Sequence, residues 1–248
     1  MRYLPLPLLL ACSGADKDDT GTGDGPAPDP VCTEPVAPTC IDQMILDLSL
    51  HDDKVSDAEV SSTSDGDDTL TYVDASAGGY NNASRNPWVY LRFGADGTAE
   101  RVDIDDETAL EDMTWHLALR RFIVRVNSGD SGPSCVGAAA MLGYSYDELT
   151  AVPDGLAYRT DDYYTDDCTL INDSSGLPGS PQVAMSAWWE YPGCVATTGT
   201  PFLLQLEDGR VVKLVVESYY DGEGQAECNE TDSTTASGGY FWLRWTEM

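Results

Sequence analysis

Histidine is almost missing from this chain: His51 and His116 are the only two in 248 residues. A nucleophilic triad that runs on imidazole therefore has two candidate bases, and neither sits among turn residues beside an obvious nucleophile. A zinc site is disfavoured by the same scarcity, because no C-x-x-C pair is present to complete a tetrahedral N/S set. Positive charge is scarce as well. Thirteen Lys and Arg stand against 43 Asp and Glu, a formal net charge of -30, which repels phosphate backbones and anionic head groups and argues against nucleic acid as a partner. After the first residues no stretch approaches the ~18 uninterrupted apolar residues of a membrane-crossing helix. No internal repeat is visible.

What is present suffices for one sizeable domain. Hydrophobic residues make up 42% of the chain, with six Trp, thirteen Tyr and four Phe, enough apolar side chain to close a core. The opening MRYLPLPLLLAC joins one Arg to a short apolar run and then Leu9-Leu10-Ala11-Cys12, the pattern of a secretory signal ending in a bacterial lipobox. Residues 1–11 read as the signal peptide and Cys12 as the lipidated first residue of the mature chain, so acyl chains would supply the membrane anchor. Ser13, rather than Asp, follows Cys12, which associates with export to the outer membrane. Residues 12–39, rich in Gly, Pro, Asp, Thr and Ala, read as a disordered acidic tether, and residues 40–248 as the folded domain. Six cysteines remain: Cys32, Cys40, Cys135, Cys168, Cys194 and Cys228. An even number outside the cytoplasm implies up to three disulfides. Cys32 and Cys40 enclose a short loop and are expected to pair, leaving three pairings open for the other four.

The secondary structure reads as all-β. IDQMILDLSL (41–50) supplies a first plausible strand and SDAEVSSTSDGDDT a polar loop. β-Branched and aromatic runs at 69–75, 86–94, 100–105, 201–206, 210–220 and 240–245 read as further strands. Ala95-Asp96-Gly97 and Glu207-Asp208-Gly209 are tight-turn signals that make two of these pairs hairpins. In the last strand Phe241, Leu243 and Trp245 share one face and Tyr240, Trp242 and Arg244 the other, which implies at least partial cover on both sides. Thr114 to Gly132 is apolar at helical and at alternating spacing at once. Its phase slips at Arg120-Arg121, so it reads as two strand segments joined by a bulge, ending in the turn cluster Asn127 to Gly132.

Within that cluster Gly129-Asp130-Ser131-Gly132 has the GDSG sequence of a serine-protease nucleophile, but the flanking pattern does not fit and the tetrad reads as a turn. Asp65-Gly66-Asp67-Asp68 and the run from Asp161 to Asp167 lack the twelve-residue calcium-loop spacing and read as solvated acidic loops. Carboxylate pairs of the glycosidase kind are uninformative in a chain this acidic, and a carboxylate-based extracytoplasmic hydrolase stays open as a third reading. No enzyme activity is expected.

The segment from Trp115 to Gly132, with Ala118, Arg121, Arg125, Asn127, Gly129 and Ser131 in place, resembles the W-D-x-A-x-x-R-y-x-v-R-x-N-x-G-x-S-G signature of the HmuY-type haem-binding lipoproteins. The strand Trp88 to Phe93, the stretches Ala151 to Gly155 and Tyr158 to Asp161, and Ala187 to Tyr191 are similar to further family segments, so the resemblance spans about residues 85 to 248. It implies a single, sandwich-like all-β domain displayed at the outer membrane, which captures haem and passes it to a TonB-dependent receptor. The best-known members hold haem between two axial His from the region corresponding to 161–200, and that region has no His here. His116 stands where the family has Asp and reads as a structural imidazole; His51 reads as exposed. The remaining candidate iron ligands are the thioether of Met185, beside Trp188 and Trp189, and the phenols of Tyr163 and Tyr164. Cys194 lies near a ligand position of relatives, but a disulfide with Cys168 is the stronger reading. The same scaffold could instead hold another small apolar ligand, or serve as a surface interaction or structural lipoprotein without haem.

Overall fold

The computed structural model describes residues 28–175, 177 and 179–248. The expected signal peptide (1–11), the lipidation site Cys12 and the first part of the tether (to residue 27) lie outside the described residues. The ordered elements, in chain order, are helix α1 (Ile41–Asp47), strands β1 (Val60–Asp65), β2 (Asp68–Asp74), β3 (Val89–Phe93), β4 (Ala99–Val102), β5 (Leu117–Arg120), β6 (Ile123–Val126) and β7 (Gly137–Ala140), then β8 (Trp189–Glu190), β9 (Ala196–Thr197), β10 (Phe202–Gln205), β11 (Val211–Tyr220), helix α2 (Gly224–Thr231) and β12 (Gly238–Glu247). Two antiparallel sheets carry the fold, one of six strands in the order β1-β2-β12-β11-β10-β7 and one of four in the order β4-β3-β5-β6. The ribbon of β8 and β9 pairs with neither sheet and packs beside β11.

Alternation along the strands explains the layering. Val89, Leu91 and Phe93 of β3, Leu117 and Leu119 of β5, and Val124 and Val126 of β6 meet Val73, Phe202, Leu204, Leu214, Phe241, Leu243 and Trp245 of the larger sheet in one apolar core. The opposite face of the four-stranded sheet is also covered, because Trp88, Tyr90 and Ala118 pack against Met44 and Leu48 of the α1 region and against Tyr163, Tyr164 and Val183. A strand set buried on both faces has little polar alternation to read.

Several expectations fail, each for a physical reason. The stretch 41–50 is not a strand but opens with α1: its apolar positions 41, 44, 45 and 48 have helical spacing, and Met44 and Leu48 are the buried ones. The polar loop at 60–65 is strand β1, paired with β2 around Gly66, which has φ +66°. As a sheet edge it is mostly exposed, so Ser and Thr suffice without an apolar face. The bulge at Arg120-Arg121 is instead a reversal, since Arg120 pairs with Ile123 across a two-residue turn and β5 and β6 form a hairpin. The two hairpins marked by their Asp-Gly turns are present, as β3–β4 and β10–β11, although the expected strand at 100–105 ends at Val102.

Cysteine pairing differs too. The six form three disulfides, Cys32–Cys135, Cys40–Cys168 and Cys194–Cys228, so neither Cys32–Cys40 nor Cys168–Cys194 exists. Residues 31–36 run along the domain, with Val31 N–H donating to the Glu207 carbonyl at 2.7 Å and Val36 N–H to that of Pro133 at 2.8 Å. That path delivers Cys32 to the turn after β6, while Cys40 enters α1 and faces Cys168. The ordered body therefore begins well upstream of residue 40.

Candidate functional site

The signature segment builds a polar layer on the outer face of the four-stranded sheet. Arg125 of β6 is completely buried, its guanidinium 4.1 Å from the Trp88 ring centroid and 6.0 Å from that of Trp115, donating to Tyr90 Oη at 3.3 Å. Arg120 lies over Trp88 at 4.5 Å and donates to the carbonyls of Leu48 and Ser49. Arg125 exchanges water for aromatic faces, the Tyr90 hydroxyl and the Met44 sulfur, Arg120 for an aromatic face and carbonyl oxygens, and burial lowers the Arg120 pKa to about 10. Asp106 accepts from the backbone N–H groups of His51 and Trp88 and from Tyr90 Oη. Asp161, fully buried, accepts from Val126 N–H at 3.0 Å, Ala184 N–H at 2.7 Å and Ser131 Oγ at 2.5 Å. Burial pushes its carboxyl up to about 6, against those hydrogen bonds.

This layer accounts for the signature. Asn127 Nδ2 donates to the Asp112 and Trp115 carbonyls and its Oδ1 accepts from Ser134 N–H. Gly129, at φ +58°, sits so close to the Asp161 carbonyl that a Cβ would collide with it. Ser131 is fully buried and hydrogen-bonded to Asp161 and Tyr163, so the GDSG tetrad is a turn without an exposed nucleophile. His116 is likewise structural: Nδ1 accepts from Phe93 N–H at 2.9 Å, and Nε2 lies 3.0 Å from Glu207 Oε2, a close polar contact short of a well-aligned hydrogen bond.

The three sequence-predicted iron ligands are not brought together. Met185 is fully buried in the apolar core between the sheets, whereas Tyr163 and Tyr164 belong to the cluster on the other side of the four-stranded sheet. Tyr163 Oη is shared with Ser131 at 2.9 Å and approaches Met44 Sδ at 3.5 Å, and burial raises its pKa to about 12. Tyr164 Oη donates to Asp47 at 3.1 Å and is also held above the usual phenol value, burial being the main cause. Both phenols are thus kept protonated, the opposite of what phenolate ligation needs.

A cleft of about 310 Å³ opens instead at the end of the sandwich where the β5–β6 turn meets the end of β11. Arg121, Phe122, Tyr191, Tyr219 and Tyr220 wall it, with Tyr80 on the rim. Aromatic packing continues behind it, Phe122 lying 4.8 Å from Trp189 and Trp188 5.9 Å from Tyr219. The Arg121 guanidinium lies 5.8 Å from the Tyr219 centroid and donates to the Gly238 carbonyl, and no carboxylate pairs with it among the described residues. Arg121 also has φ +53°, at the first position of a two-residue hairpin turn where glycine is the usual occupant. The structure holds a strained, unpaired cation at the mouth of an aromatic cleft. Sequence reasoning missed it; the phase slip at Arg120-Arg121 was its signal, read as a bulge.

Among solved structures the chain is similar to a candidate HmuY-like heme binding protein from Bacteroides vulgatus (18% identity, covering 72% of this chain and 91% of that one, TM-score 0.45). It is also similar to a candidate lipoprotein from Bacteroides fragilis (17%, 74% and 91%, 0.47) and an apo HmuY analog from Tannerella forsythia (16%, 79% and 99%, 0.45). A comparison with the curated proteins finds no match. The family model described as HmuY protein matches residues 84–231, a span that takes in the signature hairpin, its polar layer and most of the cleft, and the chain belongs to the HmuY family.

Proposed function

We propose that this protein is a lipid-anchored, outer-membrane surface protein that captures haem or a related tetrapyrrole in the cleft at Arg121 and passes it on for uptake, with a TonB-dependent receptor as the recipient. Family membership supports the ligand class. The observation that carries the location is Arg121: a cation without a carboxylate partner, in a chain of net charge -30, beside Phe122, Tyr191 and Tyr219. Aromatic walls suit a planar macrocycle and a guanidinium suits its carboxylates. The volume stands near the lower end of the ~300–1,000 Å³ of small-molecule sites, so part of the ring would stay in solvent.

The residues fit the ring and its carboxylates better than they fit the iron. The cleft walls include no His, and Met185 would have to leave the core to reach a ligand there. Recognition therefore rests on the macrocycle. Titration of the protein with haemin is expected to give a saturable shift of the Soret band at micromolar concentrations, weakened about tenfold in Arg121→Gly by loss of a charge-assisted contact. Met185→Leu keeps the packing and removes the sulfur: an unchanged band removes the thioether from the iron, and an altered one puts it there. No spectral change with the wild type would overturn haem capture. A second reading, a surface interaction lipoprotein without haem on the same scaffold, is favoured by one observation, the engaged or buried state of Met185, Tyr163 and Tyr164.

A further inference from the structure

Five of the six tryptophans are at most 7% exposed; Trp242 is 37% exposed. It lies on the outer face of the six-stranded sheet, the face turned away from the core. That face is covered over only part of its width. On the β7–β10–β11 side, Met141, Leu149 and Tyr158 close over Ala139 and Leu203, and Lys213 donates to the Tyr146 and Leu149 carbonyls. Cover thins out toward β12 and β2: Tyr146 lies over Arg244, and Tyr240 and Tyr72 are half-buried, while Trp242 stays exposed. There Trp242 pairs directly with Tyr72 across the strands, ring centroids 5.2 Å apart, and Tyr240 follows two residues along the same face.

Apart from Arg244 on the same face of β12, the charge around this platform is negative. Glu59, Asp74 and Asp221 act electrostatically on the Tyr72 phenol, and Glu217 projects beside the bulge that sets Ser218 opposite Trp242. None of these four carboxylates is in an ion pair among the described residues, because the nearby cation, Arg244, is taken by Asp68 at 2.6 Å and Asp147 at 3.2 Å. Trp and Tyr are the residue types that dominate binding energy at protein interfaces, and an aromatic face beside carboxylates that no cation pairs attracts a cation with a flat, weakly hydrated head. The face is a sheet surface that presents Trp242 to solvent, so a small ligand would be little buried while a protein surface could cover it.

We infer that the Tyr72–Trp242–Tyr240 face is a docking surface for an arginine-bearing segment of a partner protein. The carboxylates steer the segment in, and a guanidinium stacks on Trp242 or Tyr72. This surface is separate from the Arg121 cleft and stands whether or not the cleft takes a tetrapyrrole.

The test is calorimetric titration of the protein, at physiological ionic strength, with a short oligo-arginine peptide. Glu217→Gln/Asp221→Asn alters two charges without touching the sheet core, and is expected to weaken binding about tenfold, as is Trp242→Ala. Glu107→Gln/Glu111→Gln, the same charge change on the side of α1, is expected to leave the affinity unchanged, and an oligo-lysine peptide of equal length to bind more weakly because an ammonium does not stack flat. Equal losses in the two carboxylate variants would mean diffuse attraction to an acidic protein and would overturn the proposal. So would undetectable binding to the wild type.

Discussion

The two faces of the four-stranded sheet are built on opposite principles. One face meets the larger sheet through Val, Leu, Phe and Ala side chains; the other, on the same strands β3, β5 and β6, presents Tyr90, Arg120 and Arg125 and receives Asp106 and Asp161 from the loops. Apolar packing is non-directional and tolerates repacking. A buried charge cluster tolerates only the geometry that satisfies it. The signature residues fall mainly on the second face, where they fasten β6, the GDSG turn and the segment from Asp161 to Ala184 to one another. The motif that identifies the family thus encodes a joint, and the cleft proposed for the ligand lies beyond it, at the hairpin turn.

The largest effect should come from breaking the polar joint. Arg125→Ala strips a buried cation from between Trp88 and Tyr90 and is expected to cost about 3–5 kcal/mol in urea unfolding, while Arg125→Met, which refills the volume without charge, should cost clearly less. A loss as large in Arg125→Met would show that charge, not volume, holds the layer. Removing the Cys40–Cys168 bond, which pins α1 over that face, should cost about 2–4 kcal/mol and be read as a lowered denaturation midpoint for Cys40→Ser/Cys168→Ser.

A smaller effect separates the faces by pH. The Asp161 carboxyl is raised to about 6 by burial, so the folded chain keeps a proton that the unfolded chain, with a carboxyl pKa near about 4, releases. Stability from this group is full below the unfolded value and is lost as pH rises through about 6; burial raises Asp106 and Asp130 in the same direction. Acidifying from about pH 7 to about pH 5 should stabilise the fold by about 1 kcal/mol or more, seen as a rising Tm, and Asp161→Asn should flatten that rise. Leu119→Ala, on the apolar face, should lower Tm at both pH values while leaving the rise intact. The smallest expected change in stability belongs to Arg121→Gly, under about 1 kcal/mol, because relief of the left-handed backbone offsets the lost hydrogen bonds.

The legible parts of the sequence were those where pattern and burial coincide. Glu207-Asp208-Gly209 marked a hairpin because only a tight turn suits those residues, and Trp115 to Gly132 identified the family although its role was structural. Met44 and Leu48 misled because a short apolar stretch admits two periods, and β1 hid because an exposed edge strand needs no apolar face. The disulfides were out of reach, since pairing depends on how residues 29–39 lie along the body. Arg121 was visible as a phase slip, but its meaning depends on which chain ends meet at the turn, a fact of topology alone.

The most direct test compares haemin with iron-free protoporphyrin. If the cleft recognises the ring and its carboxylates, both should bind the protein with affinities within a few-fold, quenching tryptophan fluorescence, and Arg121→Gly should weaken both by the same factor. Binding of haemin alone, or an Arg121→Gly variant that binds both as tightly as the wild type, would contradict the account.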